Sequence, residues 1–208
     1  MHKIIAIKLV GGLSDTSKMP GQSFGLPTAN CITGEKLAKI PNSICSKCYA
    51  KKGFYKTFAN TVLPAQQRRL AAFDDPQWVT AMVKLLAREN WFRWFDSGDL
   101  QSLQMLHNIA EVARRTPHCR HWLATRERHF VSQFLKLSVV PDNLCIRVSA
   151  TFADVPVKPI EGVNCGNVHS KNARPTGYVC PAPTQNGKCE TCRACWDRSV
   201  AVVSYREH

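Results

Sequence analysis

The chain has 208 residues, 44% of them hydrophobic and 9% aromatic, which excludes intrinsic disorder and allows a core burying roughly 70% of the unfolded surface. With 28 Lys and Arg against 15 Asp and Glu the formal net charge is +13, a balance that favours polyanionic partners. No run approaches the roughly 18 apolar residues of a membrane span, and residues 4–10 are broken by Lys8 and lack a small-residue cleavage site, so neither a membrane anchor nor a secretory leader is expected.

Taken in chain order, residues 2–10 (HKIIAIKLV) read as a strand. Residues 11–63 are rich in Gly, Pro, Ser and Lys without a sustained period, and read as a long functional loop region. Pro64 is expected to start one helix and Asp75-Pro76 another, whose apolar face carries Trp78, Val79, Met82, Val83, Leu85 and Leu86. Short apolar runs then alternate with helical periods. Residues 91–95 end in Asp96-Ser97-Gly98-Asp99 and precede a helix with Leu103, Leu106, Ile109, Ala110 and Ala113. Residues 121–124 end in Thr125-Arg126-Glu127 and precede a helix with Phe130, Phe134 and Leu137, and residues 144–148 end in Ser149-Ala150-Thr151.

Strand ends near 95, 124 and 148 are one βα unit apart, so these strands should be parallel with right-handed crossovers. Eight such units need around 250 residues, which makes an α/β, TIM-barrel-like fold with a partial or irregular barrel the expected architecture, with an open doubly wound sheet as the alternative. A single domain over 1–208 follows, with a barrel-like core over 1–155 and a cysteine-rich segment over 156–199. Prolines break the pattern beyond Phe152, and a last strand is expected over 200–205. The loops at the carboxyl ends of the strands are the expected ligand face. They bring Asp96, Asp99 and Arg126 together as candidate substrate-binding residues. Helix capping by Ser97 or Asp99 is the competing explanation for one of those acids, and Glu127 is equally suited to the start of the next helix.

Seven of the ten cysteines fall in two groups instead of spreading like a disulfide framework, which points to thiolate ligation. Cys180, Cys189, Cys192 and Cys195 are spaced Cys-x8-Cys-x2-Cys-x2-Cys. Three sulfurs at x2 intervals with a fourth across a Gly-bearing loop suit a [4Fe–4S] cluster, while zinc, which also accepts four thiolates, usually shows two separated CxxC pairs. Cys45 and Cys48 form a CxxC pair with Cys31 upstream, a second site or an alternative ligand set that would leave one iron open. Cys31 reads equally well as a buried small hydrophobe. Cys119, Cys145 and Cys165 stand alone and read as core thiols. Between residues 36 and 73 there are eight Lys and Arg and no acid, and Lys51-Lys-Gly-Phe-Tyr-Lys56 with Phe58 mixes cations and aromatics as a nucleic-acid surface does, or equally as a lid over a metal cluster would.

The strings Cys45-Ser-Lys-Cys48-Tyr49-Ala50, Arg68-Arg69-Leu70, Arg93 through Leu100, Ala124-Thr125-Arg126-Glu127 and Gly187-Lys-Cys189 through Asp197 together resemble the phage "gene product eighty-eight" family. That resemblance implies a phage or prophage origin and a host cytoplasmic location, and no particular activity. A looser likeness joins the barrel and the CxxC-aromatic turn to radical S-adenosylmethionine enzymes, implying S-adenosylmethionine on an open iron. Here the chain departs from the Cys-x3-Cys-x2-Cys run of those enzymes. The expectation is an iron–sulfur protein with a redox or radical role, the alternative a zinc-bearing nucleic-acid-binding module.

Overall fold

The runs expected as strands over 91–95, 121–124, 144–148 and 200–205 form strands in the computed structural model, which describes residues 1–207, and the run over 2–10 does not. The elements are α1 (Lys3–Val10), β1 (Ser23–Phe24), α2 (Ile32–Ala38), α3 (Gly53–Thr57), α4 (Ala59–Ala72), α5 (Trp78–Leu86) and β2 (Trp91–Trp94). These are followed by α6 (Leu103–Arg115), β3 (Arg120–Thr125), α7 (Arg128–Leu137), β4 (Leu144–Ser149), β5 (Asn164–His169), β6 (Tyr178–Val179) and β7 (Val202–Arg206).

The strands make one sheet in the order β1-β2-β3-β4-β5-β7-β6, and every pairing is parallel. Among the described residues β1 and β6 are the two ends of the sheet and do not pair with each other, so the sheet is not closed; the outer side of β1 carries one isolated antiparallel bridge, Ser23 to Ser14. From β1 to β5 the spatial order follows the chain order, without the reversal that defines a doubly wound sheet. Alternation along each strand separates two faces. On one face Phe92, Trp94, Leu123, Ile146 and Val148 share a single core with Ala6, Met82, Leu106, Ile109, Val131 and Phe134 of the helices. On the other, Trp122 and Val203 pack against Ala194, Cys195 and Trp196 of the C-terminal segment. Helices cover one face, and the cysteine-rich segment covers part of the other.

Residues 2–10 correct the sequence reading, because they form α1 and not a strand. Ala6 and Val10, four apart, are fully buried while Ile4, Ile5 and Ile7 are exposed, the burial of a helix packed on α5. His2 accepts the N–H of Ile4, and Gly11 closes the helix in the left-handed conformation. The β-preference of isoleucine is overridden by a face that only a helix can bury. Pro64 is a second correction. It lies inside α4 and does not start it, and the helix tolerates one missing donor there. Asp75-Pro76 is a third correction: α5 starts at Trp78 with Gln77 at its N-cap, and Asp75 lies in the turn before it, where its Oδ1 accepts the N–H of Gln77 at 2.7 Å.

Strand β5, with sequence NCGNVH, lacks an apolar alternation, which is why no strand is read there from sequence. Its two asparagines replace apolar burial with hydrogen bonds. Asn164 Nδ2 donates to the carbonyls of Arg198 and Val200, and Asn167 Nδ2 donates to Thr176 Oγ1 at 2.6 Å.

Candidate functional site

At the carboxyl end of β2 the chain turns sharply. Phe95 takes a φ of 58°, a conformation that costs a bulky residue roughly 1 kcal/mol or more and clusters at functional turns. Its N–H donates to Phe24 O at 2.8 Å, which fixes the turn to the neighbouring strand. Gly98 also has a positive φ, of 74°, and a Cβ there would come within 2.6 Å of Leu26 Cβ, so only glycine fits.

Asp96 and Asp99 leave this turn with different environments. Asp99 is buried and engaged on both oxygens. Oδ1 accepts from Thr125 Oγ1 at 2.6 Å and from Leu100 N at 2.8 Å, and Oδ2 accepts from Arg126 N at 2.8 Å. Burial lifts its pKa to about 6 against these stabilising donors. Asp96 is equally buried, but only Oδ2 is satisfied, by the Tyr55 hydroxyl at 2.7 Å, while Oδ1 has no partner. Gly25 faces that oxygen, and a Cβ at residue 25 would lie 2.5 Å from it. The Tyr49 hydroxyl donates to Asp96 O, and Arg93 Nη2 donates to Tyr49 Oη at 3.3 Å. Neither acid caps α6. Ser102 does, accepting Met105 N at 3.0 Å. Glu127 does not cap α7 with its side chain either.

Residues 28–58 lie across the carboxyl ends of the strands and are held there at four places. Glu127, after β3, accepts Thr33 N and Thr33 Oγ1, each at 2.7 Å. Ile44 N donates to Thr151 O at 2.9 Å beyond β4. Lys47 pairs with Glu207 beyond β7 at 2.9 Å, and Tyr49 and Tyr55 reach Asp96 beyond β2. This places Cys31, Cys45 and Cys48 over the strand ends. The Cβ position that Gly34 lacks lies 3.5 Å from Cys31 Sγ and 3.7 Å from Cys45 Sγ, so these two sulfurs flank the same glycine. Burial, then the charges of Asp99 and the two neighbouring cysteines, pushes the Cys31 thiol up to about 12. Burial also raises Cys45, and Arg126 works against that rise. Arg126 donates through Nε to Ala150 O at 3.1 Å.

The second cysteine group belongs to the other face of the sheet. Cys180, Cys189 and Cys192 pack against the cluster formed by Trp122, Cys195, Trp196 and Val203. Cys195 Sγ is 3.2 Å from the Tyr205 hydroxyl, and Cys192 Sγ is 3.4 Å from that of Tyr178. Burial pushes Cys195 up to about 12. The segment is organised by Arg147 of β4, which is 1% exposed. Its guanidinium donates to the carbonyls of Cys165, Ala194, Cys195, Asp197 and Val200. Arg93 lies over the Trp122 ring at 4.4 Å and its charge acts on Cys189 and Cys195, while its Nη2 donates to Tyr49 Oη, so it joins the C-terminal cysteine group to the segment over the strand ends.

The structure thus brings Asp96, Asp99 and Arg126 to one edge with Cys31, Cys45 and Cys48, and keeps Cys180, Cys189, Cys192 and Cys195 as a separate cluster. Among the described residues no three His, Cys, Asp or Glu side chains stand in a metal-holding arrangement. Cys119, Cys145 and Cys165 are buried, as expected of core thiols. Tyr49 and Arg93 lie in the family-like strings and Tyr55 in the basic–aromatic run, but none of them, nor Arg147, is read from sequence as a site residue. Arg147, a charge inside an otherwise apolar strand (LCIRVS), offered a signal of its own.

A family model described as Gene product 88 matches residues 7–198 of the chain. No curated protein and no solved structure matches it. Among the described residues no helix is long and apolar enough to cross a membrane.

Proposed function

The chain belongs to the phage Gene product 88 family, and from that premise and its two cysteine groups we propose that it is an iron–sulfur protein of the host cytoplasm. Cys180, Cys189, Cys192 and Cys195 would hold a [4Fe–4S] cluster. The observation that carries this reading is that all four pack into one aromatic-lined cluster on the sheet face opposite the helices. Arg147 and Arg93 lie beside them and act electrostatically on Cys195, and positive charge of this kind offsets the negative charge of an all-thiolate site. Between Val179 and Val202 the chain has only two single 3₁₀ turns, so the side chains can converge on a metal without unfolding a helix or strand.

The architecture is best read as a partial (β/α) barrel. Strands β1 to β5 run in chain order, the long helices share one face, and the C-terminal segment covers part of the other. In that reading the carboxyl edge is the active face, and Cys31, Cys45 and Cys48 are a second ligand set whose three thiolates leave one iron position open. Arg126 would hold an anionic group of a small substrate and Asp96 a cationic or hydroxyl group, while Asp99 positions Arg126 through its main-chain N–H. A bound cluster would supply redox or Lewis-acid chemistry.

Anaerobic purification followed by metal and sulfide analysis tests this. The expected product is brown, with about four acid-labile sulfides per cubane bound. Stoichiometric zinc without sulfide overturns it and leaves a zinc-bearing module, the site then being structural. Titration of the reduced protein with S-adenosylmethionine, following its cleavage and the cluster spectrum, tests the open-iron site separately.

A further inference from the structure

Helix α3 (Gly53–Thr57) has two unlike faces. Inward, the Tyr55 hydroxyl donates to the buried carboxylate of Asp96. Outward, Phe54 is 77% exposed and Phe58, four residues on, is 53% exposed. Their rings are stacked, with centroids 5.9 Å apart and planes 9° from parallel. Two parallel aromatic rings in water leave apolar area that a folded chain ordinarily buries, so they mark a contact surface.

The surroundings specify the partner. Lys51, Lys52 and Lys56 are exposed beside the rings, and no Asp or Glu occurs between residues 36 and 73. Lys51 is paired with Glu35, whereas Lys52 and Lys56 make no ion pair among the described residues. Thr57, Asn60 and Thr61 are exposed next to the rings, a polar border that suits a base and its phosphates better than lipid tails.

We propose that this face binds single-stranded nucleic acid, with bases stacking on Phe54 and Phe58 and neighbouring phosphates meeting Lys52 and Lys56. A single strand is favoured because its bases are free to leave their own stack, which a duplex resists. Tyr55 sits between the two rings in sequence and reaches Asp96, so a strand docked here passes the rim of the candidate site. The surface stands independently of the metal reading and survives if the protein binds zinc or no metal.

The test is fluorescence anisotropy of the full-length protein with a labelled single-stranded oligothymidylate, with melting curves recorded for every variant. Wild type should bind at low salt, prefer single strand to duplex and weaken steeply as salt rises. Phe54→Ala with Phe58→Ala should weaken binding roughly tenfold or more, since base stacking contributes about 1–3 kcal/mol per base. Phe54→Tyr, which keeps a stacking ring, should bind as wild type does. Lys52→Gln with Lys56→Gln should lower the slope of log affinity against log salt by about 1.4, the expectation for two phosphate contacts on a single strand. Absence of wild-type binding at low salt overturns the proposal. So does equal binding by a folded double-alanine variant, or association with phosphatidylserine vesicles in place of the oligonucleotide.

Discussion

Arg147 Nε donates to the carbonyl of Cys195 at 3.1 Å, across a sequence separation of 48 residues. The guanidinium is fully inside the protein, has no acid partner within ion-pair distance among the described residues, and is satisfied by five main-chain carbonyls. A buried charge held this way costs desolvation and returns a fixed path for the chain around it. The carbonyls it holds include those of Ala194 and Cys195, which follow Cys192 and end the C-terminal cysteine cluster.

Replacing Arg147 should therefore disorganise the cysteine segment. Arg147→Met strips donors from five carbonyls and should lower stability by about 3–5 kcal/mol. Metal and sulfide content should fall with it. Arg147→Lys keeps a charge but offers three donors to five acceptors, and should lie between. Urea unfolding alongside metal analysis checks this, and wild-type stability in the methionine variant would remove the organising role.

The cysteines should sort into two behaviours. Cys189→Ala and Cys192→Ala should lose the metal and much of the thermal stability, because ligation to a chain-organising metal contributes directly to folding. Cys119→Ala removes a thiol that is fully buried in the helix-side core and should cost about 1 kcal/mol with metal content unchanged. Three variants alike in both measurements would contradict the separation of ligands from core thiols.

Asp96 and Asp99 should respond differently to the same substitution. Asp99→Asn turns an amide N–H₂ toward a donor on whichever oxygen it replaces, since Thr125, Leu100 and Arg126 all donate to the carboxylate. A loss of about 2 kcal/mol is expected. Asp96→Asn can keep its oxygen on Tyr55 and place nitrogen where Oδ1 now has no partner, so its stability should stay within about 1 kcal/mol of wild type. If both variants unfold at the same denaturant concentration, the assignment of Asp99 to the scaffold fails.

His121 sets the acid limb of stability. Thr116 Oγ1 donates to Val112 O and so accepts from His121 Nε2 at 2.9 Å, while Nδ1 accepts from Trp94 Nε1 at 3.3 Å. Both ring nitrogens are committed to the neutral form, and burial lowers the pKa from 6.5 to about 3. The unfolded chain then binds a proton that the folded one refuses, so stability falls as pH drops from about 6.5 toward 3. Asp99 acts in the opposite sense: its raised pKa means that protonation between about 6 and 4 relieves a burial cost. The histidine shift is the larger, so net loss on acidification is expected. His121→Gln, which has no titration in that range, should flatten the curve between pH 6.5 and 4 in thermal melts.

Where an element is decided by its own alternation or period, the sequence was sufficient. The runs ending at Trp94, Thr125 and Ser149 and the helices between them are legible because hydrophobic residues recur at period 2 or near 3.6. The turn Asp96-Ser97-Gly98-Asp99 is legible because only glycine and small polar residues tolerate it. Residues 2–10 were not, since isoleucines favour a strand locally and burial of Ala6 and Val10 against α5 decides for a helix. Strand β5 was hidden because its polar residues are satisfied outside the strand, Asn164 by the carbonyl of Arg198, 34 residues on, and Asn167 by Thr176, 9 residues on.

The cysteine spacing by itself determined that two groups of thiols exist, and the charge count that the surface is basic. Only the tertiary structure decided that the two groups lie in different environments, one over the carboxyl ends of the strands and one against the opposite face of the sheet. It also decided which of two neighbouring aspartates is spent on the scaffold. The physical reason is the same in each case: a hydrogen bond or a burial between residues tens of positions apart leaves no trace in local composition. Thr125 and Arg126 reach Asp99, and Arg147 reaches Cys195, through sheet pairing that only the complete fold brings into register.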